Sequence, residues 1–355
     1  MQSDGKTKYS VVQLLGNMFP ALEKELSKHQ FFKAWKTKSV FEQLIGPPPF
    51  IREEFSAEWI TDVTGVIGDS PLSSRLLASL GCYLEKIREL EGYQHIKKKL
   101  ESLDERFYPT LSEIEFIDLL LYNLQPTSIH LEHTFQTPKG KHPELMVDHK
   151  SGPVYFEVTR IMDYKEMSGI IAFDSVISAF QLSLKVLKNL NRRISVNFKT
   201  LPNNGTIKGV LLDINNQLVN GIYSFQLKNN SYSVDISEGD GVTITIPPEI
   251  IEKKLKDKLD EETKQFDEDT CNFVVLDATP AVLSLDNLSD IVRNYFDYSC
   301  NTVVWGVFLV AKKWVIEETF NLTFKIECVH QPNLKGRNKY LAIKIVDDLF
   351  PSIQK

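Results

Sequence analysis

Cysteine is scarce and scattered in this chain. Cys82, Cys271, Cys300 and Cys328 form no C-x-x-C pair, which excludes a disulfide scaffold and a cysteine-built zinc site and points to reduced thiols in a cytoplasmic protein. Long apolar runs are missing too. The longest, Val303 to Ala311, is closed by Lys312 and Lys313, well short of the ~18 residues a membrane helix needs. The opening Met1-Gln2-Ser3-Asp4-Gly5-Lys6 has no basic stretch followed by an apolar core, so no signal peptide is expected. Nor is there an excess of positive charge. The 41 lysines and arginines face 47 aspartates and glutamates, a balance that argues against a protein coating nucleic acid by charge alone. With 42% hydrophobic and 25% charged residues, what remains is a globular composition able to bury a core, neither disordered nor collagen-like. The 355 residues suit two domains of about 150 residues each, or one domain with a long insertion.

Hydrophobic spacing divides the chain. Residues 1–105 read as an all-helical N-terminal domain, beginning with Val11, Leu14, Leu15, Met18 and Leu22 at helical spacing. Gly46-Pro47-Pro48-Pro49 interrupts it, since proline removes a donor and fixes the backbone. Ser70-Pro71 then opens a helix as N-cap and first-turn proline, with Leu76, Leu77, Leu80, Tyr83, Leu84, Ile87 and Leu90 along it. From 106 to 355 the pattern is mixed α/β. A helix over 112–124 ends before Pro126, and strands are expected over 129–135, 144–149 and 154–161. The last strand has Val154, Phe156 and Val158 on one face and Tyr155, Glu157 and Thr159 on the other. A helix over 168–190 follows, with Val176, Phe180, Leu184 and Leu187 as its stripe. An insertion at about 194–248 reads as a strand, 194–198, and an antiparallel meander through 223–227, 232–236 and 242–246. Beyond it come a helix over 248–266, a buried strand 273–276, a helix 286–296, a buried strand 302–310 and a β-rich tail, 319–346.

Several catalytic signatures are absent: there is no G-x-x-x-x-G-K-[ST] loop, no G-x-G-x-x-G after a strand, no H-E-x-x-H and no G-x-S-x-G. His130, His133, His142 and His149 cluster in sequence. They fall on two strands and the loop between, with no helical i, i+4 pair, which argues against zinc. His142 reads as a solvent-facing loop residue. One basic strip exists, Lys185, Lys188, Arg192, Arg193 and Lys199, with no acid between them. It reads either as the cationic end of a helix or as a local nucleic-acid contact.

The informative stretch is His142-Pro143-Glu144-Leu145-Met146-Val147, a short turn, and Val154-Tyr155-Phe156-Glu157-Val158-Thr159-Arg160. Two adjacent strands each carry one glutamate among apolar neighbours. A buried carboxylate is costly unless it is paired or coordinates a cation. Two of them brought together across a sheet suit Mg²⁺, a hard ion that prefers oxygen and can activate water or offset charge on a phosphate. The same residues also fit a solvated polar face with Glu157 directed at water.

This hairpin resembles the PD-(D/E)XK nuclease superfamily, whose core runs α-β-β-β-α-β with its acids on a β-hairpin. Pro143-Glu144 stands where the family has Pro-Asp, and Glu157-Val158-Thr159 where it has (D/E)-x-K. The helix bearing Ser112-Glu113-Ile114-Glu115 is similar to the family's first core helix, which often adds a third carboxylate. The likeness covers residues 106–190 well, the insertion and later segments loosely, and the N-terminal domain not at all. It implies a restriction-endonuclease-like domain over 106–355, Mg²⁺ or Mn²⁺ held by Glu144 and Glu157 with Glu113 assisting, and hydrolysis of nucleic acid, DNA ahead of RNA. Glu113 is preferred over Glu115 because it continues into Phe116, Ile117 and Leu120; Ser112 to Glu115 fits a capping box, and Thr110 to Glu113 fits one too.

Two residues depart from the family pattern. Glu144 replaces an aspartate and lengthens the arm. Thr159 replaces the lysine expected to orient the attacking water and stabilise the phosphorus centre. A migrated lysine is therefore expected on the helix over 248–266, where Lys254, Lys258 and Gln265 lie beside the stripe of Ile251, Leu255, Leu259 and Phe266. The helical domain and Lys185, Lys188, Arg192 and Arg193 would hold the nucleic acid. No membrane partner is expected, and a homodimer is an open assembly. The alternative is a nuclease fold that has lost catalysis and serves as a binding or scaffolding module, which the acidic charge and the missing lysine favour.

Overall fold

The computed structural model describes residues 49–60, 63, 80–103, 106–161, 173, 177, 180–181, 184–185, 188–278, 285–299, 303–316 and 320–351. The helix expected over Val11 to Leu22 and the Ser70-Pro71 cap lie outside them. The chain is mixed α/β and forms two compact units, residues 1–82 with 165–247 and residues 83–164 with 248–355. In chain order the first described elements are α1 (Pro49–Glu54), α2 (Tyr93–Glu101), α3 (Phe107–Leu121), β1 (Ile129–Leu131), β2 (Leu145–His149) and β3 (Gly152–Arg160). There follow β4 (Arg192–Phe198), α4 (Asn204–Val219), β5 (Phe225–Lys228), β6 (Tyr232–Glu238) and β7 (Val242–Thr245). The chain closes with α5 (Pro248–Glu262), β8 (Cys271–Asp277), α6 (Leu285–Ser299), β9 (Gly306–Ile316), β10 (Phe320–His330) and α7 (Gly336–Leu349). Among the described residues no helix is long and apolar enough to cross a membrane.

The second unit begins at Tyr83, ahead of the boundary expected near 105, and α2 packs on α3 within it. Its six strands run in the order β1-β2-β3-β8-β9-β10. β1, β2 and β3 are antiparallel neighbours, β3, β8 and β9 are parallel, and β10 returns antiparallel to β9. β8 has the composition a parallel centre needs. Phe273, Val274, Val275 and Leu276 are all buried, so both of its faces are covered. α3 packs on β3, and a chain of rings fills the layer. Phe116 of α3 lies 5.4 Å from Phe156, Phe156 5.8 Å from Phe273, Phe273 5.3 Å from Phe308, and Phe308 5.3 Å from Phe350. Phe156→Ala should therefore cost about 3–5 kcal/mol, because rings held by a sheet cannot collapse into the void. The check is a urea titration, with a lower midpoint at unchanged slope.

The first unit contains a four-stranded sheet of order β5-β6-β4-β7. This corrects the expected meander: β7 pairs with β4 in parallel, not with β6. Ile194, Val196 and Phe198 of β4 are buried, and an inner position with a neighbour on each side keeps them so. One helix fills a stretch of the insertion to which no element was assigned, and another replaces expected β structure in the tail. α4 starts where Asn203 Oδ1 accepts from the Thr206 N–H at 2.9 Å, and buries Val210, Leu211 and Ile214. The tail turns helical at α7, where Ala342, Ile345, Val346 and Leu349 are buried at helical spacing. Of the helix expected over 168–190, Phe180 and Leu184 are helical and buried as expected.

Candidate active site

A glycine allows the site to assemble. Gly92 precedes α2 with φ +92°, and a Cβ there would meet Leu131 Cβ at 2.9 Å and Thr134 Cγ2 at 3.0 Å. Only glycine lets α2 begin this close to the turn after β1. As a result His95 and Lys99, four residues apart on α2, reach Glu132 in that turn. His95 Nε2 lies 3.2 Å, and Lys99 Nζ 2.7 Å, from Glu132 Oε2.

Because α2 also lies along α3, Lys99 Nζ comes within 3.4 Å of Glu113 Oε2. Glu113 is 1% exposed, and its Oε1 has no hydrogen-bond partner. An orphaned carboxylate oxygen costs stability in a core and leaves a donor atom for a ligand. The third piece is the hairpin. Leu145 pairs with Phe156, so Glu144 and Glu157 face each other just beyond the last pair of the ladder. The Val158 N–H donates to Glu144 Oε2 at 2.9 Å, and the Glu144 N–H donates to Glu157 Oε2 at 3.3 Å. Each glutamate is thus fixed by the other's strand.

The electrostatics follow from this crowding. Burial, then the charge of Glu113, pushes the Glu144 carboxyl well above its usual range against the pull of Lys99. Burial, then Glu144 and Glu262, does the same to Glu157. Glu113 is raised by burial, with Lys99 opposing. Burial alone would lower the Lys99 ammonium, but Glu113, Glu144 and Glu132 outweigh it and hold it above its ordinary value. Burial likewise opposes ionisation of Glu132, yet Lys99 prevails and keeps that carboxyl below its usual range. Carboxylates crowded this way are relieved by protons or by a hard cation, and Glu144 and Glu157 are the pair that faces across the hairpin. Lys99, Glu132, Glu144 and Glu157 line a cleft of about 550 Å³ whose wall includes Arg106, Thr110, His133, His142 and Gln265.

Of the residues singled out from sequence, Glu113, Glu144 and Glu157 come together. Glu115 stands apart. α3 begins at Phe107, so Ser112 and Glu115 sit mid-helix instead of forming a capping box, and both line a small cavity beside Asp277. Ser112 Oγ donates to Asp277 Oδ2 at 2.5 Å. Thr159 hydrogen-bonds to Glu262 through its hydroxyl. Lys258 Nζ lies 2.9 Å from Glu261 and 3.7 Å from Glu262, held by acids of its own helix. Neither Lys258 nor Lys254 belongs to the cleft wall, although Gln265 does. The cation among the glutamates is Lys99, from a segment that reads in sequence as part of the helical domain. A signal existed. Tyr93, Ile96 and Leu100 are the buried stripe of α2, and Lys99 flanks it three residues after Ile96.

Lys185, Lys188, Arg192 and Arg193 belong to the first unit. Lys185 pairs with Asp240 at 3.0 Å, and Arg192 Nε donates to the Tyr223 carbonyl at 2.8 Å, while Lys188 and Arg193 are exposed. Of the histidines, His130 and His149 stand apart, while His133 and His142 remain together with rings 6.2 Å apart. His130 meets Asp148 at 2.8 Å and His149 meets Asp348 at 3.1 Å. His142 is exposed, as expected, and stands on the cleft wall. His133 Nε2 lies 3.5 Å from Glu132 Oε1, with its ring 4.2 Å from that of His95. No family model matches this chain, and no curated protein or solved structure matches it either.

Proposed function

We propose that the second unit is a metal-dependent phosphodiesterase of the restriction-endonuclease-like fold, hydrolysing nucleic acid with DNA ahead of RNA. The observation that carries this reading is that Glu144 and Glu157, facing each other at the end of the hairpin, line a cleft with the ammonium of Lys99, which also reaches the buried Glu113 of α3. The order of elements supports it. Within the second unit, and leaving out residues 165–247 of the first, α3, three antiparallel strands, α5 and then β8 parallel to β3 keep the α-β-β-β-α-β order that the resemblance implies. In that order α5 stands where the helix over 168–190 was expected.

Glu144 and Glu157, with Glu113 behind them, would hold Mg²⁺ or Mn²⁺. Such an ion supplies an acidified water and positive charge at the phosphate. The chain's own contribution is electrostatic. Lys99, charged at any working pH, offsets the negative charge that builds on phosphoryl oxygens. Glu132 holds that ammonium in place, and Arg106 adds a second positive charge to the cleft wall. In this reading Lys99 fills the role left vacant at Thr159.

The test is hydrolysis of duplex DNA, single-stranded DNA and RNA with Mg²⁺ or Mn²⁺, by the full chain and by Glu157→Gln. Wild-type cleavage that falls by at least about 10²-fold in the variant, with unchanged circular dichroism, is the expected result. A wild type that binds DNA yet cuts nothing with either metal would make this a binding module on a nuclease-like scaffold.

A further inference from the structure

We infer that His95, Glu132 and His133 form a second cation site, of zinc-type chemistry, beside the glutamate cluster. The inference does not rest on the phosphodiesterase reading. His95 comes from α2, Glu132 and His133 from the turn after β1, and one ligand atom of each lies within 4.8 Å of the others. Each histidine reaches one oxygen of the shared carboxylate: His95 Nε2 is 3.2 Å from Glu132 Oε2, and His133 Nε2 is 3.5 Å from Glu132 Oε1. Tetrahedral zinc ligands at about 2.0–2.1 Å stand about 3.3 Å apart, so a small closing of the three side chains would complete the set.

The donor set decides the class of ion. Two imidazoles and one carboxylate suit zinc, whereas a set of glutamate oxygens suits magnesium or manganese. Lys99 pairs with Glu132 through Oε2 at 2.7 Å, which leaves Oε1, the oxygen nearer His133, for a cation. Three protein ligands leave a fourth position, and Glu132 and His133 present it to the cleft that His142 also lines. A water, His142 or an anionic oxygen of a bound substrate can complete the tetrahedron. The arrangement depends on Gly92, without which α2 could not bring His95 to the turn.

Calorimetric titration of the full chain with Zn²⁺ alone tests the inference, with Co²⁺ as a spectroscopic probe of tetrahedral geometry. The variants are His95→Gln, which keeps the helix, and His133→Asn, because His133 has φ +70° and asparagine tolerates that conformation. Wild type should bind one Zn²⁺, and the double variant should bind it at least about 10²-fold more weakly, on the scale of losing metal-site partners. Glu157→Gln should leave Zn²⁺ binding within about twofold while losing Mn²⁺. Zn²⁺ binding that is absent in wild type, unchanged in the histidine double variant, or abolished by Glu157→Gln would overturn the second site. A wild type that binds Zn²⁺ but no Mn²⁺, or a Glu157→Gln variant that keeps Mn²⁺, would count against the glutamate site and leave this one standing.

Discussion

Lys99→Met should slow metal-dependent phosphodiester cleavage by about 10²–10³-fold, the usual effect of removing one preorganised charge from a transition state. The ammonium sits 3.4 Å from Glu113 and 2.7 Å from Glu132, and those acids keep it charged. The same change leaves Glu113 buried without its partner, so a loss of stability of about 3–5 kcal/mol is expected as well. Lys99→Arg separates the two effects. It preserves the charge and most of the stability, but its planar fork cannot place one compact charge where the lysine does, so cleavage should recover only in part. Single-turnover rates at saturating Mn²⁺, beside urea midpoints for each variant, provide the measurement. Lys258→Met should cut within a few-fold of wild type, because Lys258 is engaged by Glu261 and Glu262. The reverse ranking of the two lysines would return the catalytic cation to α5.

The second large effect is a dependence of stability on pH that a divalent ion reverses. Glu144 and Glu157 carry carboxyl groups raised well above their ordinary values by burial and by neighbouring acids. The folded chain therefore keeps protons that the unfolded chain has lost, and without metal its stability falls as pH rises from the free glutamate value of about 4.3 toward the folded values. Mg²⁺ or Mn²⁺ at about 100 times its dissociation constant should add back about 2.7 kcal/mol at neutral pH. Glu157→Gln should raise metal-free stability near neutrality, flatten the slope and abolish the response to metal. Thermal melting against pH, with and without Mg²⁺, is the check. Metal-free stability that rises through this window would show that the cluster is not held against its own charge.

Local spacing alone determined a good deal of this site. Strand alternation places Glu157 between Phe156 and Val158, and the short hairpin sets Glu144 opposite it, since antiparallel register leaves few choices. Helical spacing puts Glu113 at the border of the face that carries Phe116, Ile117 and Leu120, all buried. These assignments depend on residues near one another in the chain, and so they are legible in it. α4 and α7 were missed although they left signals, the Asn203 cap and the spacing of Ala342, Ile345, Val346 and Leu349, because β-rich neighbours dominated the reading. Only the tertiary structure decided which cation faces the glutamates and which histidine joins Glu132. Lys99 and His95 lie on a short helix whose own sequence says nothing of what it packs against. Its placement follows from a close contact at Gly92 and from packing on α3. Side chains from separate elements meet through packing, which acts on shape and volume and leaves no period in the sequence.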